Sequence, residues 1–240
     1  KYDVTVIDNL MFSKTSLLHL MVKKNFKFIY GDVTNHKLIS KHLKGKDFII
    51  PLAGLVGAPL CEKFKKKTVR VNLDAIKYII SKAKNSQKII FMNSNSGYGI
   101  GKKNKYCDET TPLNPISLYG RTKVAAEKEV TKFKNSVCFR LATVFGYSYR
   151  MRTDVLVNNF VLKAVQTKKI DLFEPNFRRN YIHVRDVVRA ILFTINNFNK
   201  MKGNIYNLGL SSANLTKKQL SLKIKNRIKD LKITIKKGKD

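Results

Sequence analysis

Short apolar runs alternate along this chain with longer amphipathic stretches, a pattern that predicts strands alternating with helices. The runs rich in Val, Ile and Phe predict strands at Tyr2–Asp8, Phe26–Tyr30, Asp47–Ala53, Lys88–Asn93, Val137–Thr143, Ile170–Phe173, Tyr181–His183 and Ile205–Leu208. The amphipathic stretches predict helices at Thr15–Lys23, His36–Leu43, Glu62–Lys84, Ser117–Phe133, Val155–Val165, Val187–Ile195 and Lys217–Ile228. The last stretch, Leu231–Asp240, is expected to be a turn rich in Lys and Gly.

This order of elements is typical of an α/β protein with a mostly parallel sheet covered by helices on both faces. Right-handed crossovers place the carboxyl ends of the strands along one edge, where ligands bind. We therefore expect a doubly wound, Rossmann-type domain over residues 1–150. The rhythm loosens after about Thr143, and residues 151–240 are expected to form part of a small substrate-binding lobe interleaved with that domain.

The beginning of the chain departs from a complete dinucleotide-binding fold. Such a fold needs a first strand, a Gly-rich turn and a helix whose N-terminus holds the pyrophosphate. No G-x-G-x-x-G or G-x-x-G-x-x-G occurs in the sequence, yet Asp8 ends the first predicted strand, where the residue that binds the adenosine ribose belongs. We therefore predict that Tyr2–Asp8 is the second strand of the fold, and that the chain is a fragment without the first strand and ending in mid-domain.

The charge of the chain is +32, from 48 Lys+Arg against 16 Asp+Glu, and this excess suggests nucleic acid as a partner. The competing interpretation is a coding bias toward lysine, because 38 of the basic residues are Lys and they are spread along the whole chain. Arg-rich groove readers and single-strand binders with interleaved aromatics have other patterns. We therefore expect no nucleic-acid partner, although a positive surface would attract an anionic substrate.

Several protein classes are disfavoured by composition. Hydrophobic residues make up 43% of the chain, too many for wholesale disorder. The longest apolar runs have the length of strands, so no membrane association is expected. The three cysteines, Cys61, Cys107 and Cys138, are far apart and odd in number, which favours a reduced cytoplasmic setting and no metal site.

Seven short motifs follow one another at spacings that resemble the extended short-chain dehydrogenase/reductases, in particular their NAD-dependent epimerase/dehydratase branch. They are Val6-Ile7-Asp8-Asn9-Leu10, Gly31-Asp32-Val33, Leu52-Ala53-Gly54-Leu55-Val56-Gly57, Val71-Asn72-Leu73, Asn93-Ser94-Asn95-Ser96-Gly97-Tyr98-Gly99, Tyr119-Gly120-Arg121-Thr122-Lys123 and Arg179-Asn180-Tyr181-Ile182-His183-Val184. The resemblance covers residues 2 to about 228. It implies an NAD-dependent nucleotide-sugar epimerase, with transient oxidation of the sugar at C4.

The expected catalytic residues are Tyr119, Lys123 and Ser94. Tyr119 and Lys123 are four residues apart on a predicted helix and therefore share one face. A free phenol has a pKa of about 10, and a neighbouring ammonium together with the helix N-terminus favours the phenolate. Tyr119 is thus suited to take a proton from a sugar hydroxyl, and Ser94, after a buried strand, to bond the reacting oxygen, with Ser96 as the second choice.

Asn95 and Ser96 argue against a dehydratase. In the 4,6-dehydratases of the resembled family an Asp-Glu pair follows the Ser or Thr and supplies the acid and base that eliminate water. Neither Asn95 nor Ser96 can titrate near neutral pH, so an epimerase or a simple oxidoreductase is preferred.

The resemblance implies NAD as the cofactor. Asp8 would accept hydrogen bonds from the adenosine ribose and repel a 2′-phosphate, so NAD is expected over NADP. A turn or helix-cap role for Asp8 is the structural alternative. The full set of expected cofactor contacts is Asp8, Asn9, Asp32, Val33, Ala53, Gly54, Gly57, Asn72, Tyr119 and Lys123.

The resemblance also implies substrate contacts and a partner. Arg179 would hold the diphosphate of a nucleotide sugar, and Asn159 and Ser94 would bond the phosphate or the sugar. A homodimer through the helices at Glu62–Lys84 and Ser117–Phe133 is expected. Two other functions stay open: an NAD-dependent nucleotide-sugar reductase or dehydrogenase, and an inactive nucleotide- or RNA-binding protein of the same fold.

Overall fold

The computed structural model describes residues 2–12, 15–101 and 106–238. The chain divides into two compact units. Unit 1 comprises Lys1–Leu141 and Ala190–Asn207, and unit 2 comprises Ala142–Arg189 and Leu208–Asp240. The chain therefore leaves unit 1 after residue 141, earlier than the boundary expected at 150, and returns to it for residues 190–207. That the two units are a cofactor domain and a substrate lobe stays a prediction.

Unit 1 holds most of the parallel sheet. Its strands are β1 Val4–Asp8, β2 Phe26–Tyr30, β3 Phe48–Ile49, β4 Lys88–Ser94, β5 Ser136–Leu141 and, continuing one residue into unit 2, β9 Ile205–Leu208. The hydrogen-bonded orders are β1-β2 and β3-β4-β5-β9, and the pairs β1–β2, β3–β4 and β4–β5 are parallel. This is the Rossmann-like α/β core that the sequence predicts.

The helices of unit 1 are α1 His36–Leu43, α2 Ala58–Lys63, α3 Lys65–Val69, α4 Ala75–Lys82, α5 Leu118–Val130 and α8 Phe198–Met201, while α7 Val184–Asn196 begins in unit 2 and enters unit 1 at Ala190. Apolar side chains of α1, α4 and α5 pack with β3, β4 and β5 in one core cluster. The core residues Ile76, Ile89, Phe91 and Val130 are at most 3% exposed. Strand β4 is buried on both faces, as expected for a central parallel strand, and its carboxyl end is thereby fixed in place.

Unit 2 is built from two small sheets and two packed helices. Strands β6 Thr143–Phe145, β8 Arg178–His183 and β10 Asn214–Thr216 form one sheet in the order β10-β8-β6, and β7 Lys169–Leu172 pairs in parallel with β11 Lys232–Ile235. Helices α6 Leu156–Thr167 and α9 Lys217–Lys225 cover a core that includes Ile170, Leu172 and Tyr181. A reciprocal capping box, Thr216 with Gln219, starts α9.

Two predicted elements of unit 1 are wrong or much shorter than expected. In place of a helix at Thr15–Lys23 there is a 3₁₀ turn at Leu18–Leu20, which has no buried residue to anchor it. The strand expected at Asp47–Ala53 is limited to β3, because Pro51 has no backbone donor and Leu52 is 67% exposed.

Two further predictions need correction. The helix expected at Glu62–Lys84 starts earlier, is interrupted at Phe64 and contains a π-helical turn at Arg70–Asp74. The terminal stretch Leu231–Asp240, whose last two residues lie outside the described range, contains strand β11 rather than only a turn, because Leu231 is 1% exposed and seals the core of unit 2.

No helix in the described ranges combines the length and apolar character needed to cross a bilayer. Within the same ranges no group of three or more His, Cys, Asp and Glu side chains is arranged to hold a metal ion.

Candidate active site

Strand β4 delivers Ser94 to the carboxyl edge of the sheet in unit 1. Ser94 is the last residue of β4, and a 3₁₀ turn at Asn95–Tyr98 follows directly. The Ser94 hydroxyl caps that turn by accepting from the Ser96 amide at 3.2 Å, and it donates to Ser96 Oγ at 3.0 Å. Ser94, the first choice from the sequence, and Ser96, the second, are thus hydrogen-bonded to each other, and Ser94 is the one that belongs to the strand.

Tyr119 lies in the first turn of α5. Ser117 caps this helix, since its Oγ accepts from the Gly120 amide at 3.1 Å. The ring of Tyr119 is partly buried and packs against the apolar cluster of Leu55, Cys61 and Val71. Tyr119 is therefore held at the helix N-terminus, where the helix dipole is positive.

Lys123 is directed from α5 onto the carboxyl-terminal part of β4. Its Nζ donates to the Met92 carbonyl at 2.7 Å and lies 4.3 Å from the centre of the Phe91 ring. Desolvation lowers the pKa of Lys123 to about 8, although Cys138 and Glu127 act in the opposite direction. The Lys123 ammonium is thus bound to the backbone of Met92, two residues before Ser94. It also loses its proton more easily than the ammonium of an exposed lysine.

Two glycines allow the Ser94 turn and α5 to approach closely. A β-carbon on Gly120 would lie 2.9 Å from the Ser96 carbonyl oxygen, and one on Gly97 would lie 3.0 Å from a methyl group of Val124. Real β-carbons essentially never stand closer than 3.0 Å to a neighbouring heavy atom. Because Gly120 has no side chain, the helical turn that carries Tyr119 can pack directly against the Ser94–Ser96 segment.

One buried asparagine braces the loop that follows β3. Asn72, in the π-helical turn, is 3% exposed and bonds the backbone of Leu55 twice, accepting from its amide and donating to its carbonyl at 2.9 Å each. Gly57, with φ of 96°, then starts α2 in a conformation that favours glycine. Asn72 therefore braces the loop, and both of its side-chain polar atoms are used in doing so.

The ends of β1 and β2 are joined by polar side chains. Asn9 donates to Asp32 Oδ2 at 2.8 Å, and Asp8 Oδ1 accepts from the Leu10 amide at 2.7 Å. Burial acts to raise the pKa of Asp32, but hydrogen bonds from Thr34 and Asn9 outweigh it and hold the pKa below its usual value. This makes Asp32 a permanent anion that organises the loop, while Asp8 remains exposed at the strand end.

These residues fit an NAD molecule along the carboxyl edge. An exposed carboxylate at Asp8 suits ribose hydroxyls, and the exposed backbone at Ala53 with the glycines at 54 and 57 offers close approach without side chains. Val33 turns inward and packs on the Leu55 cluster. Individual cofactor contacts of these residues remain predictions.

Sequence reasoning missed a buried polar network below the site. Glu127 and Arg140, with side chains 4% and 5% exposed, form an ion pair at 2.8 Å. Arg140 also donates to the Tyr98 hydroxyl at 2.9 Å, and Tyr98 donates to Asn207 Oδ1 at 2.7 Å. Two signals were available: a charged residue within the apolar strand Ser136–Leu141, and a glutamate one helical turn beyond Lys123.

Of the expected substrate residues, Ser94 belongs to unit 1, and Asn159 and Arg179 belong to unit 2. Asn159, in the first turn of α6, donates to the Thr153 carbonyl at 3.1 Å. Arg179 is exposed on β8, with its guanidinium 4.9 Å from the Phe177 ring. His183 ends β8, where its Nδ1 accepts from the Arg185 amide at 3.2 Å. Arg179 is therefore accessible to an anion, whereas His183 is engaged with the backbone of the following helix.

Curated relatives are nucleotide-sugar enzymes. An uncharacterized UDP-glucose epimerase, YtcB, of Bacillus subtilis (strain 168) is 28% identical over 73% of this chain and 57% of its own length. The CDP-paratose 2-epimerase of Salmonella typhi is 27% identical over 88% of this chain and 73% of its own length. The chain spans between 46% and 73% of the length of such relatives.

The fold has close structural counterparts. The UDP-glucuronic acid 4-epimerase of Bacillus cereus, solved with UDP-glucuronic acid and NAD, superposes with a TM-score of 0.87 at 22% identity, over all of this chain and 79% of that protein. The sequence profile of the NAD dependent epimerase/dehydratase family matches residues 1–209. The protein is a member of the NAD-dependent epimerase/dehydratase family.

Proposed function

We propose that this chain carries the catalytic half of a nucleotide-sugar epimerase that inverts the sugar at C4 by transient oxidation to a ketone. The observation that carries the proposal is the convergence of Ser94 and the Tyr119–Lys123 helix at the carboxyl edge of β4. NAD, when bound, supplies the redox chemistry by taking hydride from the sugar carbon and returning it.

Each of the three residues has a defined task in this reaction. Tyr119 takes the proton from the sugar hydroxyl as the carbon is oxidised, and returns it later. Lys123 favours the phenolate through its positive charge. Ser94 exchanges its bond to Ser96 Oγ for one to the reacting sugar oxygen, and so stabilises the charge that develops there.

A dehydratase is less well supported, although human dTDP-D-glucose 4,6-dehydratase is 25% identical over 83% of this chain. Elimination of water from a sugar needs an acid and a base beside the ketone. The residues after Ser94 are Asn95 and Ser96, and neither can supply a proton near neutral pH. The chemistry available at this turn is therefore limited to the oxidation and reduction step.

The substrate is proposed to be a nucleoside diphosphate sugar. Arg179 lies on strand β8, Arg178–His183, which contains no Asp or Glu. An exposed guanidinium of this kind pairs well with a diphosphate. Asn159 would add a neutral donor. A homodimer and a cytoplasmic location agree with this function and remain predictions.

The test is an incubation of the purified chain with a set of UDP- and dTDP-hexoses and, in parallel, either NAD or NADH, followed by proton NMR of the sugar products. A C4-inverted sugar at constant NAD supports the epimerase. A sugar reduced or oxidised with stoichiometric loss or gain of NADH would assign a reductase or dehydrogenase instead, and a 4-keto-6-deoxy product would assign the dehydratase.

A further inference from the structure

The buried carboxylate of Glu127 connects helix α5 with strands β4 and β5. Glu127 Oε2 accepts from the Asn93 amide at 2.5 Å, and both of its oxygens accept from the Arg140 guanidinium. Asn93 and Arg140 are direct partners in the parallel pair β4–β5. Glu127 therefore ties α5 to two adjacent strands at one level of the sheet.

The residues that Glu127 binds are next to the site. Asn93 immediately precedes Ser94 in β4, and Glu127 follows Lys123 by four residues on the same face of α5. Arg140 extends the connection to Tyr98, which ends the turn that Ser94 caps. A displacement of this carboxylate would thus move Ser94 and Lys123 relative to each other.

We propose that Glu127 is a positioning residue for Ser94 and Lys123: its buried carboxylate, held by Asn93 and Arg140, fixes their separation, and its negative charge lies one helical turn from the Lys123 ammonium. The proposal rests on the function proposed above for the catalytic group. Arg140 and Asn93 act as the anchors of Glu127 and do not reach the sugar in this account.

The surroundings of the ammonium explain why a nearby anion matters. Strand β4 offers Lys123 only the Met92 carbonyl and the Phe91 ring, neither of which titrates. Strand β5 presents Cys138, and burial raises the pKa of that thiol to about 12, so it stays neutral. Glu127 is therefore the carboxylate that acts on Lys123.

The other charged side chains on the helices that pack against α5 are either hydrogen-bonded elsewhere or exposed to solvent. Glu62 of α2 is engaged at the start of the helix, where it accepts from the Leu118 amide at 3.3 Å. The remaining charged side chains of α2, α3, the π-helical turn and α4 are exposed to solvent, where water screens their charge: Lys63, Lys65, Lys66, Lys67, Arg70, Asp74, Lys77 and Lys82.

The test compares Glu127→Gln, which keeps the shape and removes the charge, with Glu127→Asp, which keeps the charge and shortens the side chain. Glu129→Gln is the matched control, because Glu129 is on the same helix and pairs with the largely exposed Lys132. If Glu127→Gln does not fold, the turnover of Glu127→Asp, which keeps a carboxylate beside Arg140, decides the proposal.

The first readout is the titration of Lys123 by NMR in protein labelled at the lysine ε-carbon, with the signal assigned from its loss in Lys123→Arg. We expect the Lys123 midpoint to fall by about one pH unit in Glu127→Gln, and to move little in Glu127→Asp and Glu129→Gln. An unchanged Lys123 midpoint in the charge-removing variant, or an equal change in Glu129→Gln, would overturn the proposal.

The second readout is steady-state turnover, measured as kcat and KM. We expect kcat in Glu127→Asp to fall roughly tenfold or more with KM nearly unchanged, because the groups are misplaced while substrate contacts persist. A kcat within about twofold of the wild-type value in that variant would contradict the positional role. The NMR titration needs no substrate, so an inactive wild-type chain would defeat the proposed function and still leave the role of Glu127 decided.

Discussion

The backbone of Gly120 lies against the carbonyl oxygen of Ser96, so closely that a β-carbon on Gly120 would stand 2.9 Å from it. This contact joins the first turn of α5, which carries Tyr119, to the turn that follows Ser94. The proposed catalytic residues Ser94 and Tyr119 are therefore brought together at a position that has no side chain.

Replacing Gly120 with alanine tests this packing directly. Alanine normally stabilises a helix by up to about 1 kcal/mol relative to glycine, but here the added methyl meets backbone and should instead destabilise by about 1–3 kcal/mol. Urea unfolding of Gly120→Ala measures the change. Gly101→Ala is the matched control, since its β-carbon would only make an ordinary 3.9 Å contact with Cys107 Sγ. Equal stability of the two variants would contradict the close approach.

Asn72 should prove essential to the loop after β3. Asn72→Ala leaves the amide of Leu55, a residue 2% exposed, without its partner and leaves the Leu55 carbonyl only the weak thiol donor of Cys61 at 3.4 Å. We therefore expect a loss of about 2–4 kcal/mol in the free energy of unfolding. Asn25→Ala, which removes a single solvent-exposed bond to the Tyr2 carbonyl, should change it by less than about 0.5 kcal/mol. Similar losses in both variants would show that the loop is not braced in this way.

The overall order of elements could be predicted from the sequence because most strands are apolar and the helices are amphipathic. Strands β2 and β9 and helix α1 have the predicted bounds. The errors have local causes. The apolar residues near Leu18 find no core to bury in, and β11 forms only because Leu231 closes unit 2, which depends on contacts distant in sequence.

For the site, the sequence identified the residues with recognisable chemistry and missed those that hold them. Ser94 and Lys123 are both fastened to the carboxyl-terminal part of β4, as the motif order predicts. The role of Arg140 could not be predicted in the same way, because an arginine in a strand acquires its meaning only from Glu127, which is distant in sequence and adjacent in the fold.

Selection of NAD over NADP should depend on Asp8. Asp8→Ser removes the carboxylate that would repel a 2′-phosphate, so the preference for NAD, measured as a ratio of dissociation constants by calorimetry, should fall roughly tenfold or more. Asp3→Asn changes the charge equally at an exposed position at the other end of the strand and should leave the ratio unaltered. An unchanged ratio in Asp8→Ser would remove Asp8 from the cofactor site.

Lys123 should give the protein a distinctive dependence of stability on pH. Its folded pKa is lowered to about 8 from 10.5, so between these values the unfolded chain binds the additional proton and the free energy of unfolding rises with pH. The rise attributable to Lys123 is at most about 3 kcal/mol. Urea titrations of the wild type and Lys123→Met from pH 7 to 10.5 isolate it. Parallel curves for the two proteins would show that the ammonium is not desolvated.

The central claim is that the Tyr119 phenol transfers the proton of the sugar hydroxyl. The most direct measurement is the turnover of Tyr119→Phe on whichever nucleotide sugar the wild-type chain epimerises, with Tyr106→Phe, 81% exposed, as the control and circular dichroism to verify folding. We expect Tyr119→Phe to stay folded and to lose roughly 10²- to 10⁴-fold in kcat, while Tyr106→Phe is unaffected. A folded Tyr119→Phe enzyme that turns over within a few-fold of the wild type would contradict the account.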